Sequence, residues 1–296
     1  MGANHNHHPR SSGKTLFLAL SLTTFFALVE AVAGWLANSL ALMGDAGHMI
    51  TDSFALAIAA VAAWLANRGA TGRHSFGLGR VEFLAALLNS VIMLVLVAYI
   101  VVESVLRLLS PEPVQGHMVT AVAVIGLLVN LLVAWILSRG EKNVNTRGAM
   151  LHVMGDLLGS VAAIISGVVI SLTGWMKIDP ILSIFISVLI LYSTIRLLRE
   201  AIHALMEGVP LNLSPEKVKD AMAAVPGVQG IHDLHLWSLT SSQASLTAHV
   251  VVDDLSQWPA IWDALQTVLK KRFGIDHYTL QVEDAAMAAR CDTPHH

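Results

Sequence analysis

The sequence predicts an all-α membrane bundle of six spans followed by a small cytoplasmic α+β domain. Three observations carry this. The chain is 55% hydrophobic and only 13% charged, against about 25% charged for an ordinary soluble domain. Its apolar residues come in blocks of roughly 18 or more, the length that crosses a bilayer as a helix. From about Met206 those blocks give way to turn residues and to the alternating pattern of half-buried strands.

The first fourteen residues form a polar tail carrying His5, His7, His8 and Arg10, with no cleavable signal pattern. The apolar run beginning near Leu16 is too long for a signal-peptide core. Six spans follow, at about residues 15–37, 40–65, 82–108, 117–138, 148–172 and 178–198. Their joints carry Gly, Asn, Pro and charge, as in Asn38-Ser39, Ser110 to Pro113 and Thr173-Gly174. Lys and Arg in the short loops set orientation. Arg10, Lys14, Arg68, Arg73, Arg80, Arg139, Lys142, Arg147, Arg196 and Arg199 share one side; the other has little beyond Arg107 and Lys177. Both termini are therefore expected in the cytoplasm, with the chain in the cell (inner) membrane.

Residues 206–284 form the second domain. Pro210 and Ser214-Pro215-Glu216 mark a break and then a helix start, serine capping and proline at the first position. The pattern predicts a helix over Glu216–Val225, strands Ile231–Leu239 and Ala244–Val252, a helix Trp258–Phe273 and a last strand His277–Glu283. Residues 285–296 read as disordered.

Net charge is −3, so a nucleic-acid partner has no electrostatic support. The single cysteine, Cys291, excludes an internal disulfide and a multi-cysteine metal cluster. The lipid bilayer is the expected surrounding.

One tetrad occurs twice inside the spans: His48 with Asp52, and His152 with Asp156. A spacing of four puts both side chains of a pair on one helix face. An acid at bilayer depth costs roughly 3 kcal/mol or more and marks a functional site by default. Together the pairs offer two imidazoles and two carboxylates, the donors of a four-coordinate zinc site. The alternative is that each pair satisfies itself at a helix interface, but the desolvation cost then falls twice without need. Asp45 shares the stripe of His48 and Asp52; it either joins transport or favours the positive end of its helix. Glu30, in span one, either relays protons or holds a helix contact. Glu103 and Arg107 read as a local ion pair, Asp179 as the N-cap of span six, and Asn89 and Asn130 as interhelical hydrogen-bond residues.

The stretch Met43 to Asp52 resembles span two of the cation diffusion facilitators, as does the loop Arg73 to Glu82. His152 to Asp156, Ile178-Asp179-Pro180 and His232 to Trp237 continue the likeness in the same order over roughly residues 15–284, nearest the bacterial zinc-exporting branch. The resemblance implies a homodimer of six-span protomers, each with a ferredoxin-like cytoplasmic domain, that exchanges metal for protons. It implies a transport site made by His48, Asp52, His152 and Asp156. It also implies a cytoplasmic zinc site at His232, His249, His277 and Glu283, which neighbouring antiparallel strands could gather; the alternative is a set of surface histidines. The loop between spans two and three offers His74 alone, too few for a site. His5, His7 and His8 form either a loose metal-capturing arm or a plain tail, and Cys291, His295 and His296 could bind metal weakly.

The expected function is a zinc/proton antiporter that exports Zn2+, with Cd2+ and Co2+ still open. Neutral imidazole and ionised carboxylate bind zinc and their protonated forms do not, so metal and protons compete for the same lone pairs. A membrane metalloenzyme would need an open coordination position and a general base, and no His-Glu-x-x-His occurs. A membrane-anchored zinc sensor is the remaining alternative, although six spans with buried acids exceed what an anchor needs.

Overall fold

The computed structural model describes residues 11–66, 72–139 and 144–290. The chain divides into two compact units, residues 1–57 with 88–196, and residues 58–87 with 197–296. Six long helices run through it: α1 (Ser11–Ala37), α2 (Leu40–Ala66), α3 (Val81–Leu109), α4 (Gly116–Arg139), α5 (Val144–Thr173) and α6 (Ile178–Leu205). Among the described residues, five of these are long and apolar enough to cross a membrane. The remaining helix, α2, has 27 residues and carries the ionisable stripe of Asp45, His48 and Asp52. The chain is thus a multi-pass membrane protein.

In the first unit the usual layering is inverted. Phe25, Leu28, Val32 and Trp35 of α1 are exposed, and Glu30 on the same helix is fully buried. Asn89, Ser104, Asn130, Ser160, Ser166, Ser183 and Ser187 are buried as well. Lipid accepts the apolar faces, so polar and small residues collect where helices meet. Asn130 of α4 donates to Ser160 Oγ of α5 at 3.3 Å. A β-carbon on Gly167 of α5 would meet the Thr120 backbone nitrogen at 2.6 Å and the Gly116 carbonyl at 2.7 Å, so α4 and α5 touch backbone to backbone.

The turn between α1 and α2 is made by Asn38, whose φ of 55° is a left-handed conformation that asparagine tolerates better than most residues. Arg107 donates to the Asn38 carbonyl at 2.7 Å and pairs with Glu103 at 3.0 Å. Asp179, expected to cap its own helix, instead caps a neighbour: it accepts from Leu40 N–H at 2.8 Å and from Ser39 Oγ–H at 2.6 Å. α6 begins one residue earlier, so Asp179 lies inside it with its carboxylate free to reach α2.

The second unit contains the α+β domain: α7 (Pro215–Ala223), β1 (Val228–Ser238), β2 (Ala244–Val252), α8 (Trp258–Phe273), β3 (His277–Glu283) and α9 (Ala285–Ala288). Ser214 caps α7 by accepting from Lys217 N–H, with Pro215 behind it. Ser214 also donates to Glu216 at 2.6 Å, and that hydrogen bond holds the Glu216 carboxyl below its usual range. Gly274, at φ 69°, ends α8 in the left-handed conformation. The core packs Val218 and Met222 of α7 and Ile261, Leu265 and Leu269 of α8 against Ile231, Leu236, Leu246 and Val250 of the sheet. Strand order is β1-β2-β3, the first pair antiparallel and the second parallel. The parallel pair follows from the connection: β2 returns to β3 through α8, the crossover that parallel neighbours require. Residues 285–288 are helical, contrary to the disorder expected of them, because Asp284 caps them by accepting from Met287 N–H at 2.7 Å. Cys291, His295 and His296 lie outside the described residues, as do His5, His7 and His8.

The segment joining α2 to α3 packs on this domain. Arg80 pairs with Glu207 at 3.1 Å, and Glu82 accepts from the backbone and hydroxyl of Ser241 at 3.2 and 2.6 Å. His203 is exposed, with Nε2 2.8 Å from the Val209 carbonyl.

Candidate metal centres

Asp45, His48 and Asp52 project from one face of α2, and Asp156 from α5. His48 Nε2 stands 3.6 Å from Asp52 Oδ2, the pairing that their spacing dictates, and 4.0 Å from Asp156 Oδ1 on the other helix. Ligands about 2.0–2.1 Å from a tetrahedral zinc stand about 3.3–3.4 Å from one another. The first separation therefore needs to close by roughly two or three tenths of an ångström, and the second by about 0.6–0.7 Å, to hold an ion. The site is graded in exposure: His48 and Asp52 side chains are about one-fifth exposed and Asp156 is 1% exposed. His152 lies on α5 one turn before Asp156, and its side chain lies outside the described residues.

A second acidic group adjoins this one. Asp45 is 2% exposed, and its Oδ1 sits 2.6 Å from where a β-carbon on Gly159 of α5 would be. Glycine at that position is what lets α2 approach α5 with a carboxylate between them. Glu30 of α1 is wholly buried. Among the described residues neither Glu30 oxygen has a hydrogen-bond partner, nor does Asp45 Oδ2.

In the cytoplasmic domain, His232 and His249 face each other across the β1–β2 ladder with ring centroids 4.9 Å apart. Glu283, on β3, is 1% exposed and lies between them, Oε2 at 2.9 Å from His232 Nε2 and Oε1 at 2.8 Å from His249 Nδ1. One ligand atom from each of the three falls within 4.8 Å of the others, and two imidazoles with a carboxylate are zinc donors. Burial acts to raise the Glu283 carboxyl pKa, but hydrogen bonds from Gln281 and His232, with the charges of His249 and His232, outweigh it and hold the group below its ordinary value.

His277 does not join this group. The expectation took the strands as antiparallel neighbours; β3 in fact runs parallel to β2, Val251 level with Glu283 and Ser245 with His277, but it is the length of β3 that excludes His277. Six residues of strand separate the two ends of β3, about 20 Å. His277 is exposed and meets the Phe76 ring edge-on at 5.6 Å. His235 is three residues from His232 yet level with Thr247, two before His249, so the register slip between them brings it to the face of His232, and Asp233 adopts φ 48°. Asp233 places Oδ1 3.0 Å from His235 Nε2 and Oδ2 3.6 Å from His249 Nε2. Periodicity gives no sign of Asp233; the available signal is an aspartate inside a strand pattern, where it is disfavoured.

Comparison with known proteins gives two family matches: the cation efflux transmembrane domain over residues 16–206, and the cytoplasmic domain of cation efflux proteins over residues 210–285. The chain is similar to the zinc transporter ZitB of Pectobacterium atrosepticum, 42% identical over 100% of this chain and 92% of that one. It is 40% identical to the cadmium, cobalt and zinc/H(+)-K(+) antiporter of Bacillus velezensis, over 97% and 93% of the two chains. The metal cation efflux system protein CzcD of Cupriavidus metallidurans is 40% identical over 96% and 90%. A solved structure of the metal-bound C-terminal domain of the CzcD transporter is 40% identical, with a TM-score of 0.23, over 24% of this chain and 99% of that one.

Proposed function

The chain belongs to the cation efflux family, whose members are transporters and not enzymes, and from that premise we propose that it exports zinc from the cytoplasm in exchange for protons. The observation that carries this reading is the approach of His48 to Asp156 across two helices, 4.0 Å apart in the interior of the span region. His48, Asp52, His152 and Asp156 are the transport ligands. Two imidazoles and two carboxylates suit a tetrahedral borderline ion better than magnesium or manganese, which favour more oxygen donors. The names of the relatives support zinc, with cadmium and cobalt as further substrates.

The residues perform the exchange by competition. Deprotonated, they bind zinc from the cytoplasmic side; opened to the other side, each lone pair that accepts a proton gives up its share of the ion. The proton gradient then sets the direction. The excess of Lys and Arg in loops on one side supports placement in the inner membrane with both termini cytoplasmic. The match to the cytoplasmic domain of cation efflux proteins supports a homodimer. His232, His249 and Glu283 would hold a resident zinc ion there, and the ion would bias the paired protomers towards one state.

The test is zinc uptake into proteoliposomes under an imposed pH gradient, with cadmium, cobalt and manganese alongside. Asp52→Ala and Asp156→Ala each reduce proton-driven zinc flux to background. Near-normal flux in both sinks the assignment.

A further inference from the structure

We propose that Asp233 is the positioning residue of the cytoplasmic metal site, orienting the imidazole of His249 so that Nδ1 faces the ion and Nε2 carries the proton. The inference rests on the reading of His232, His249 and Glu283 as metal ligands.

The argument begins with the backbone. His232 is level with His249, but His235 is level with Thr247, so β1 carries one extra residue between His232 and His235. In an unbroken strand Asp233 would point to the face opposite His232. The bulge and the left-handed φ of 48° turn it back, and its carboxylate arrives beside the imidazole that pairs with His232. A left-handed aspartate costs about 1 kcal/mol, and strain of this kind persists where the surroundings require that side chain.

The side-chain geometry is specific to one nitrogen. His249 Nδ1 is 2.8 Å from Glu283 Oε1, and the opposite nitrogen, Nε2, is the one near Asp233 Oδ2 at 3.6 Å. The other oxygen of Asp233 is tied to His235 Nε2 at 3.0 Å, which fixes the plane of the carboxylate. His249 is 17% exposed and Asp233 33%, so the contact is partly shielded on the His249 side. At 3.6 Å it is a charge contact and not yet a hydrogen bond. With Nδ1 engaged as a ligand, Nε2–H becomes a stronger donor and the pair closes. A carboxylate behind a ligating imidazole fixes its tautomer and raises its basicity, and loss of such a partner weakens metal affinity about 10–100-fold. Asp233 is no ligand in this arrangement, because it meets His249 at Nε2 while Glu283 meets the same ring at Nδ1.

The experiment is calorimetric titration of zinc alone into the full chain in detergent, in an Asp156→Ala background that silences the intramembrane site. Glu283→Gln identifies the cytoplasmic binding event by abolishing it. Asp233→Gly keeps a backbone suited to the bulge and removes the carboxylate. Asp233→Asn keeps both an acceptor oxygen and tolerance of the left-handed conformation. Asp233→Gly is expected to weaken the event about 10–100-fold without lowering the unfolding temperature of the zinc-free protein, and Asp233→Asn to restore most of the affinity. Wild-type affinity in Asp233→Gly overturns the proposal, as does a loss that Asp233→Asn shares in full. If instead Glu283→Gln changes nothing, the trio is not a metal site and the underlying reading falls with it.

Discussion

Asp179 of α6 accepts the backbone N–H of Leu40, the first residue of α2, at 2.8 Å. The helix that carries Asp45, His48 and Asp52 is therefore started by a side chain from the last span. Ser39 and Ser166 donate to the other oxygen of the same carboxylate at 2.6 and 3.2 Å, and Asp179 is fully buried. Removing it strands three donors. Asp179→Ala is expected to cost about 2–3 kcal/mol, read as a lower unfolding temperature in detergent, and to reduce zinc flux. An unchanged unfolding temperature rules out the anchoring role.

Glu30 presents the reverse case, a buried acid whose oxygens have no hydrogen-bond partner among the described residues. A neutral amide of the same shape avoids the cost of burying an unpaired charge and gives up no hydrogen bond that the acid makes. Glu30→Gln is expected to unfold at the same or a higher temperature and yet to transport less zinc per proton gradient. A clear fall in unfolding temperature would show that Glu30 holds a helix contact and nothing else.

The two glycines of α5 beside Asp156 separate packing from chemistry. A β-carbon at Gly159 would lie 2.6 Å from Asp45 Oδ1, whereas one at Gly155 meets nothing within 4 Å. Gly159→Ala should force α2 from α5 or displace Asp45, costing about 1–3 kcal/mol and much of the zinc flux. Gly155→Ala should leave both intact. Equal effects of the two substitutions would contradict the close approach.

Metal choice should reside in the imidazoles. His48→Asp makes the set richer in hard oxygen donors, so the ratio of manganese to zinc uptake in proteoliposomes rises. A ratio that stays at the wild-type value would place selectivity elsewhere.

The cytoplasmic trio should couple to stability. Saturation at a hundred times the dissociation constant adds about 2.7 kcal/mol to the folded state. Zinc is expected to raise the unfolding temperature of the Asp156→Ala protein, EDTA to reverse the rise, and Glu283→Gln to abolish it. A rise that survives Glu283→Gln locates the ion at another set of donors.

What could be read in advance follows from which interactions are local. The spans announce themselves as apolar blocks, and the pairing of His48 with Asp52 is written in a four-residue spacing. The strands of the cytoplasmic domain show in their alternation. Alternation puts His277 and Glu283 on one face of β3 but hides how far apart they stand: six residues of one strand, about 20 Å, whichever way it runs. Asp179 next to Pro180 resembles a local cap, and only packing reveals that it serves α2. The bulge at Asp233 shifts every later residue of β1 by one position, and no period in the chain records it. Asp284 and its cap on residues 285–288 are local, but the helix is too short to raise a periodic signal.

The backbone contact between Gly116 and Gly167 limits how the bundle can move. Thr120 and the Gly116 carbonyl occupy the space where any side chain at residue 167 would begin. Rolling α5 by one residue about its axis would bring Ser166 or Val168 into that gap, and neither fits. In the proposed exchange, spinning α5 about its own axis is therefore not expected to be the movement that exposes Asp156. On that proposal α4 and α5 are expected to travel as one solid piece, with the give at the seams around the pair.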